Sequence, residues 1–393
     1  MEDISCFNPA VGEHMRFLCV VGTRPEAIKM APLILELAQH AQVTTLCSGQ
    51  HTSLAQEALE WFGIKPDDEI AIESELRTLT TLTAAMLSPI EHMIEKHRPD
   101  IIVAQGDTTT VLVTALTSFY LGIPFAHVEA GLRTGNLRAP FPEELNRVVA
   151  SRVAQWHFCP TIRAVANLHA EGVDCSRVFL TGNTGIDSLR LILERTKTNV
   201  GGNRHLRILL TTHRRENQGR RMEGICRAVL EIVHEFNDVE FVVPVHPSPK
   251  VRCTLEQLLG GHDRIQLSPP LTYQRLVSEI AQSYLILTDS GGIQEEAPYL
   301  KKPVLVLRDI TDRPETIDLG VAQLVGTEPA NVVSAVRKLL TDRDAYSMMT
   351  TGGSPYGDGF AARRIASALG IVKGSATEPY RPPCKVGMAT MAH

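Results

Sequence analysis

Short apolar runs alternate with amphipathic stretches along most of this 393-residue chain. Apolar runs bounded by turn residues read as buried parallel strands, and apolar positions spaced three or four apart read as helices. Residues 16–21 read as the first strand and 25–39 as the following helix, with Ile28, Ala31, Leu35 and Ala38 on one face. Further strands are expected at 43–47, 101–104, 125–128, 156–159 and 178–180, with a helix over 112–120. The polar, glycine-containing stretch 195–205 interrupts the alternation and reads as a linker. Strands resume at 207–210, 240–243, 284–287 and 304–307. This pattern predicts an α/β fold of two doubly wound, Rossmann-like domains in series, residues 16–185 and 186–359. An extension over 1–15 precedes them, and the aperiodic tail 373–393 is expected to be disordered.

Composition narrows the setting. With 44% hydrophobic and 21% charged residues, the chain has the make-up of a soluble globular protein. A net charge of −5 gives no support for a nucleic-acid or membrane-surface partner, so any anion site must be local. The first fifteen residues carry Glu2, Asp3 and Glu13 and lack the apolar core of a signal peptide. No run reaches the roughly 18 apolar residues of a membrane span, and a cytoplasmic location is expected. The eight cysteines are scattered without a CxxC pair, which indicates neither structural zinc nor a disulfide framework.

Ligands of open parallel sheets bind beyond the carboxyl ends of the strands. In the first half those ends carry Gly22 to Glu26 with Lys29 one turn on, Ser48 to His51, Gly106 to Thr108, and Glu129. In the second half they carry Thr211 to Glu216, His246, Asp289 to Gly292, and Arg308-Asp309. Each has an ordinary structural explanation. Lys29 suits a solvated helix face, Asp107 suits a helix cap, and Glu143 and Glu144 after Pro142 suit a helix N-terminus. His213 and His246 suit packing at the end of apolar runs. Ser290-Gly291-Gly292, ahead of a helix expected over 293–300, is the stronger sign. Glycine lets a backbone approach an anion closely, and free N–H groups with the helix dipole then hold it. The turn matches neither GxGxxG nor a P-loop, so no nicotinamide cofactor is expected. What packing leaves unexplained is the common placement of Arg24, Lys29, Asp107, Glu129, His213, His246 and Ser290 at strand ends.

At these positions the chain resembles the non-hydrolysing UDP-N-acetylglucosamine 2-epimerases. The matching segments are GTRPEAIKMAPLI (22–34), QGDTTT (105–110), HVEAGLRTG (127–135), PFPEELNR (140–147), THRREN (212–217), PVHPSP (244–249), TDSGGIQEEAP (288–298) and SPYGDG (354–359). They follow the family's order along essentially the whole folded chain. The resemblance implies a GT-B-like pair of domains facing across a cleft, with a last helix near 360–369 packing back on the first domain. It implies interconversion of UDP-GlcNAc and UDP-ManNAc by anti elimination of UDP to 2-acetamidoglucal and re-addition. No cofactor and no metal are implied.

The resemblance also assigns residues. Asp107, Glu129 and Glu143 would surround the sugar ring, with Asp107 and Glu143 as the proton-transfer pair in no assigned order and Glu129 orienting the ring or bearing on its oxocarbenium-like charge. His213 is similar to the residue that contacts and protonates the departing diphosphate, with Arg24 and Lys29 on the facing rim. Ser290, Gly291 and Gly292 would offer N–H groups to phosphate, with Arg313 nearby, and Glu296 would accept from the ribose hydroxyls. The segment from Leu271 to Leu276 matches the one that holds uracil, with side chains unlike the family's. A homodimer is implied, as is a second UDP-GlcNAc acting as activator at Gln50, Arg214 and His246. Thr52 and Ser53 stand where longer polar side chains are usual, which implies a weakened activator site. Val321 after Gly320 departs from a usual Thr.

Three alternatives share some of these features. A GT-B glycosyltransferase has the same scaffold, but the carboxylates at the first rim exceed what an inverting base requires. A non-catalytic sugar-nucleotide sensor does not account for an intact acid/base set. A 2-epimerase of another UDP-2-acetamido sugar, such as a diacetamido uronic acid, fits the same motifs.

Overall fold

The chain passes from β1 (Arg16–Val21) through α1 (Arg24–Ala38), β2 (Gln42–Cys47), α2 (Thr52–Trp61), β3 (Asp68–Glu69), α3 (Leu79–His97), β4 (Ile101–Gln105) and α4 (Thr109–Tyr120). It continues through β5 (Phe125–Val128), α5 (Glu143–Val153), β6 (Trp156–Cys159), α6 (Ile162–Ala170), β7 (Val178–Leu180) and α7 (Thr184–Thr196). A computed structural model describes residues 15–50, 52–72, 78–196 and 206–372. The expected extension apart from Met15, most of the expected linker, and the expected tail lie outside these residues.

These strands pair in parallel in the order β3-β2-β1-β4-β5-β6-β7. Successive side chains of a strand point to opposite faces, so a sheet covered on both sides needs continuous apolar strands. Leu18, Val20, Ile102 and Ala104 pack with Met86, Ile90 and Ile94 of α3 and Val111 and Ala115 of α4. Their neighbours Phe17, Cys19 and Val21 are equally buried, and α1 packs on β1, β2 and β4.

A second sheet follows. Its elements are β8 (Leu206–Thr211), α8 (Arg220–Glu235), β9 (Val239–Pro244), α9 (Pro249–Leu259), β10 (Ile265–Ser268), α10 (Tyr273–Gln282), β11 (Leu285–Thr288) and α11 (Gly291–Tyr299). Then come β12 (Val304–Val306), α12 (Pro314–Asp318), β13 (Ala322–Leu324), α13 (Pro329–Thr341), α14 (Arg343–Thr351) and α15 (Ala361–Ala368). The parallel order is β10-β9-β8-β11-β12-β13. Ile208, Leu210, Phe241, Leu285 and Leu287 pack with α8, α9 and α13, whereas Leu209, Val242 and Ile286 pack with Ile280 and Ile293 on the opposite face. Residues 189–355 form one compact unit, and the remaining described residues form the other. The chain returns to the first unit through α15, which packs on α1.

In both sheets the winding reverses beside the first strand, between β1 and β4 and between β8 and β11. A crevice opens at the carboxyl ends of such a pair. β3, β10 and β13 were not legible as strands, because they are two to four residues long and carry polar residues. α4 starts three residues ahead of its apolar periodicity because Thr108 caps it, accepting from Val111 N. Cys19, Cys47, Cys159 and Cys226 are buried free thiols and Cys253 is exposed. Cys175 is disulfide-bonded. No described helix is long and apolar enough to cross a membrane.

Candidate active site

The β1–α1 turn is organised by a capping box. Thr23 caps α1 and accepts from Glu26 N, while Glu26 Oε2 accepts from Gly22 N at 2.8 Å and Thr23 N at 2.7 Å. The other Glu26 oxygen accepts from Thr108 Oγ1, so one buried carboxylate joins this turn to the β4–α4 turn that carries Asp107. Burial pushes Glu26 up to about 7 against the pull of its hydrogen bonds from Thr108, Gly22 and Thr23. Arg24, in the first turn of α1, is exposed.

Lys29 Nζ is 2.6 Å from Glu129 Oε2, and Gln105 Nε2 donates to the same oxygen at 2.6 Å. Glu129 has a φ of 63°, a left-handed backbone that a non-glycine residue adopts at some cost and that clusters at functional sites. Lys29 is therefore an ion-pair partner and not a solvated surface lysine.

Asp107 does not cap α4. Its Oδ2 accepts from Arg147 Nε at 2.8 Å and lies 2.7 Å from Nη2, and its carbonyl accepts from Asn146 Nδ2 at 2.8 Å. Arg147 Nη1 reaches Glu144 Oε2 at 3.1 Å. Glu144 Oε1 in turn accepts from Thr134 N at 2.8 Å and Gly135 N at 2.9 Å, fixing the loop between β5 and α5. That loop holds cis bonds before Pro140 and Pro142. Glu143, the first residue of α5, has Oε2 buried with no hydrogen-bonding partner among the described residues. His127 is buried beneath this group and its Nε2 lies 2.7 Å from the Gly106 carbonyl. Burial, the largest effect on it, holds His127 down at about 4.

In the second unit Asp289 is a buried hub. Its carboxylate accepts from His213 N, Arg214 N and Thr212 Oγ1 at 3.0 Å, and from Asn217 Nδ2 at 2.9 Å. His213 Nδ1 lies 3.2 Å from Asp289 Oδ1. Burial alone would raise Asp289; the hydrogen bond and charge of His213, with the N–H groups of Arg214 and His213, outweigh it and hold Asp289 at about 2. His213 is not packed away: its side chain is 43% exposed and its ring stacks on the exposed His246 ring, 5.8 Å between centroids. Burial, followed by the neighbouring His213, shifts His246 below its ordinary value.

Ser290 caps α11 without a side-chain hydrogen bond to the helix, and Gly291 and Gly292 form its first turn. Arg313 is held by the buried Glu295 and by Asp312, whose Oδ2 is 3.1 Å from Nη1. It hangs over Gly291, where a Cβ would meet Arg313 Nη2 at 3.7 Å. Tyr273 OH donates to Glu296 Oε1 at 2.8 Å, tying the half-buried 271–276 segment, with Leu271 and Leu276, to the glutamate expected at the ribose. In the first unit, Gln50 Oε1 accepts from Thr110 Oγ1 at 2.9 Å. The first unit thus gathers Lys29 with Glu129, and Asp107 with the α5 turn that starts at Glu143. The second gathers His213, Arg214 and His246 around Asp289, and Arg313 beside Gly291.

The family model described as UDP-N-acetylglucosamine 2-epimerase matches residues 35–370. The chain belongs to this family. It is 44% identical over 364 residues to the UDP-N-acetylglucosamine 2-epimerase of Bacillus subtilis, covering 91% of this chain and 95% of that protein. Among solved structures it resembles the UDP-GlcNAc 2-epimerase from Neisseria meningitidis bound to UDP-GlcNAc, with a TM-score of 0.84, 40% identity, and 90% and 99% of the two chains covered. It also resembles the Methanocaldococcus jannaschii enzyme in complex with UDP-GlcNAc and UDP, with a TM-score of 0.74, 33% identity, and 91% and 99% covered. The epimerase family is one of isomerases with two Rossmann-like, GT-B-type domains, as the sequence led us to expect.

Several residues of the candidate site escaped the sequence reading. Gln105, Asn146 and Arg147 lie inside the motifs QGDTTT and PFPEELNR but were given no role of their own. Asp289 stood in the strand-end group with no role. Spacing from Glu143 was the one available signal, since positions three and four residues on share its helix face.

Proposed function

We propose that this chain catalyses the reversible, non-hydrolysing C2 epimerisation of UDP-GlcNAc and UDP-ManNAc. The C2 hydrogen is weakly acidic and needs a positioned carboxylate to remove it. As the C2–H bond breaks, its electron pair forms the C1=C2 bond and the C1–O bond to UDP breaks. The glycal so formed is planar at C2. UDP re-adds at C1 while a proton is delivered to the opposite face of C2.

Asp107 and Glu143 are the proton-transfer pair, and Glu129 with Lys29 orients the ring. His213 contacts the departing diphosphate, with Arg24 and Lys29 adding positive charge. UDP lies on the second unit, with its phosphates at Ser290, Gly291, Gly292 and Arg313. Its ribose meets Glu296, and its uracil the segment from Leu271 to Leu276. The observation that carries this reading is Glu143 Oε2, a carboxylate oxygen buried with no partner among the described residues. A group kept only for stability is normally satisfied, whereas a proton-transfer group is free for its substrate. The UDP-GlcNAc and UDP bound in the Neisseria and Methanocaldococcus proteins support the ligand class. The same reading extends to a cytoplasmic homodimer. It extends also to a second UDP-GlcNAc bound weakly as activator at Gln50, Arg214 and His246.

The test is turnover in deuterium oxide without nicotinamide, over a panel of UDP-2-acetamido sugars. UDP-GlcNAc is expected to give UDP-ManNAc carrying deuterium at C2. Inversion with the original C2 hydrogen retained would defeat the elimination route, and preference for a diacetamido uronic acid would reassign the substrate.

A further inference from the structure

The first turn of α5 carries one proposed proton-transfer group and grips the other. Glu143 opens the helix, and Asn146 and Arg147 follow at three and four positions, on the same face. Asn146 holds the Asp107 carbonyl at 2.8 Å. Arg147 places two nitrogens, Nε at 2.8 Å and Nη2 at 2.7 Å, on the single oxygen Oδ2 of Asp107. Its Nη1 is taken by Glu144, which is itself pinned by the backbone of Thr134 and Gly135. Glu144, Asn146 and Arg147 are all buried, so their side chains have little freedom to rearrange.

An arginine serving only to neutralise a carboxylate commonly takes both of its oxygens in a fork. Arg147 takes one. Asp107 Oδ1 accepts no hydrogen bond from any described residue, and Glu143 Oε2 is likewise without a partner. The geometry points to Arg147 as a positioning residue for epimerisation. With Asn146, it holds Asp107 against the same helical turn that Glu143 opens and leaves Oδ1 for the sugar. This inference rests on the proposed roles of Asp107 and Glu143.

Those two roles give the inference a distinctive consequence. Each carboxylate moves the C2 proton on one face only, so loosening Asp107 raises the barrier on one face and leaves the other unchanged. From the epimer whose C2 hydrogen faces Glu143, elimination and re-addition on the same face continue. Solvent deuterium then enters recovered substrate without inversion. From the other epimer, exchange has no such route. A general loss of folded enzyme lowers every step by one factor.

The experiment compares the wild-type chain with Arg147→Met, Arg147→Lys and Asn146→Ser in deuterium oxide, starting separately from UDP-GlcNAc and UDP-ManNAc. Thermal melting of each variant reports its fold. Inversion by Arg147→Met is expected to slow roughly 100-fold, the usual effect of misplacing a reacting group by about an ångström. The ratio of exchange to inversion is expected to rise about tenfold or more from one epimer only. Arg147→Lys, which keeps the charge but cannot put two nitrogens on Oδ2, is expected to fall between. Should Arg147→Met fail to fold, the lysine and Asn146→Ser variants carry the same comparison. A uniform fall in exchange and inversion from both epimers would overturn the inference, as would unchanged inversion. A wild-type enzyme that places no deuterium at C2 would instead overturn the proposed reaction, and the inference with it.

Discussion

Lys29 Nζ and Glu129 Oε2 meet at 2.6 Å, joining the second turn of α1 to the residue that follows β5. Both side chains are largely buried, at 19% and 7% exposure. Glu129 holds a left-handed backbone with a φ of 63°, which costs a non-glycine residue about 1–2 kcal/mol. The ion pair and the Gln105 amide offset that cost and leave the carboxylate with one defined direction.

Removing the lysine charge tests the pair. Lys29→Met is expected to lower kcat/KM by roughly 100-fold, the scale of losing one preorganised electrostatic partner. It is also expected to cost about 1–3 kcal/mol of stability, because among the described residues Glu129 then keeps only Gln105. Steady-state epimerisation and a thermal melt measure the two effects. Near-normal turnover with an unchanged melt would remove Lys29 and Glu129 from the site.

Glu26 makes stability depend on pH in an unusual direction. Its folded value of about 7 lies above the ordinary 4.5, so the folded chain keeps a proton that the unfolded chain loses between these values. Stability therefore falls as pH rises from about 4.5 to about 7 and levels off above that. The full effect is on the order of 3 kcal/mol. Glu26→Gln can still accept from Gly22 N and Thr23 N with one atom while its amide faces Thr108, but it has no charge to bury. Its melting temperature relative to wild type is expected to climb between pH 5 and pH 8. A difference that stays constant over that range would show that Glu26 ionises normally.

The two sheets were legible because β1, β4, β8 and β11 are apolar on both faces, which only a covered parallel strand requires. The carboxyl-end rule then picked out Lys29, Asp107 and Glu129 from position alone. Partners were not legible. Thr23 and Glu26 form a local capping box, yet the other partner of Glu26 is Thr108, 82 residues away. Arg147 lies 40 residues beyond Asp107, and their pairing depends on α5 docking against α4, which no periodicity predicts. Asp107 read equally as a helix cap, and only the position of the Thr108 hydroxyl decides that Thr108 is the cap.

The glycines at the N-terminal end of α11, where we propose that the diphosphate binds, allow stability and binding to be separated. Gly22, in the other unit, is required by the protein itself: a Cβ there would lie 2.0 Å from Thr110 Oγ1. At Gly291 nothing in the fold excludes a side chain. The nearest atoms to a Cβ would be Arg313 Nη2 at 3.7 Å, Arg313 Cζ at 3.8 Å and Asp312 Oδ1 at 3.9 Å, all ordinary contacts, and φ is not positive. Gly291→Ala is therefore expected to leave the melt unchanged or raise it, by about 0.4–1 kcal/mol from the reduced freedom of the unfolded chain. If glycine is there to let a diphosphate reach the N–H groups of α11, the same methyl stands where the phosphate must come. UDP affinity is then expected to fall at least roughly tenfold, about 1.4 kcal/mol, so that binding and stability move in opposite directions. Calorimetric titration with UDP, run beside the melt, checks both signs. A Gly291→Ala chain that binds UDP as tightly as wild type would place the diphosphate elsewhere, and Arg313 would lose its proposed role with it.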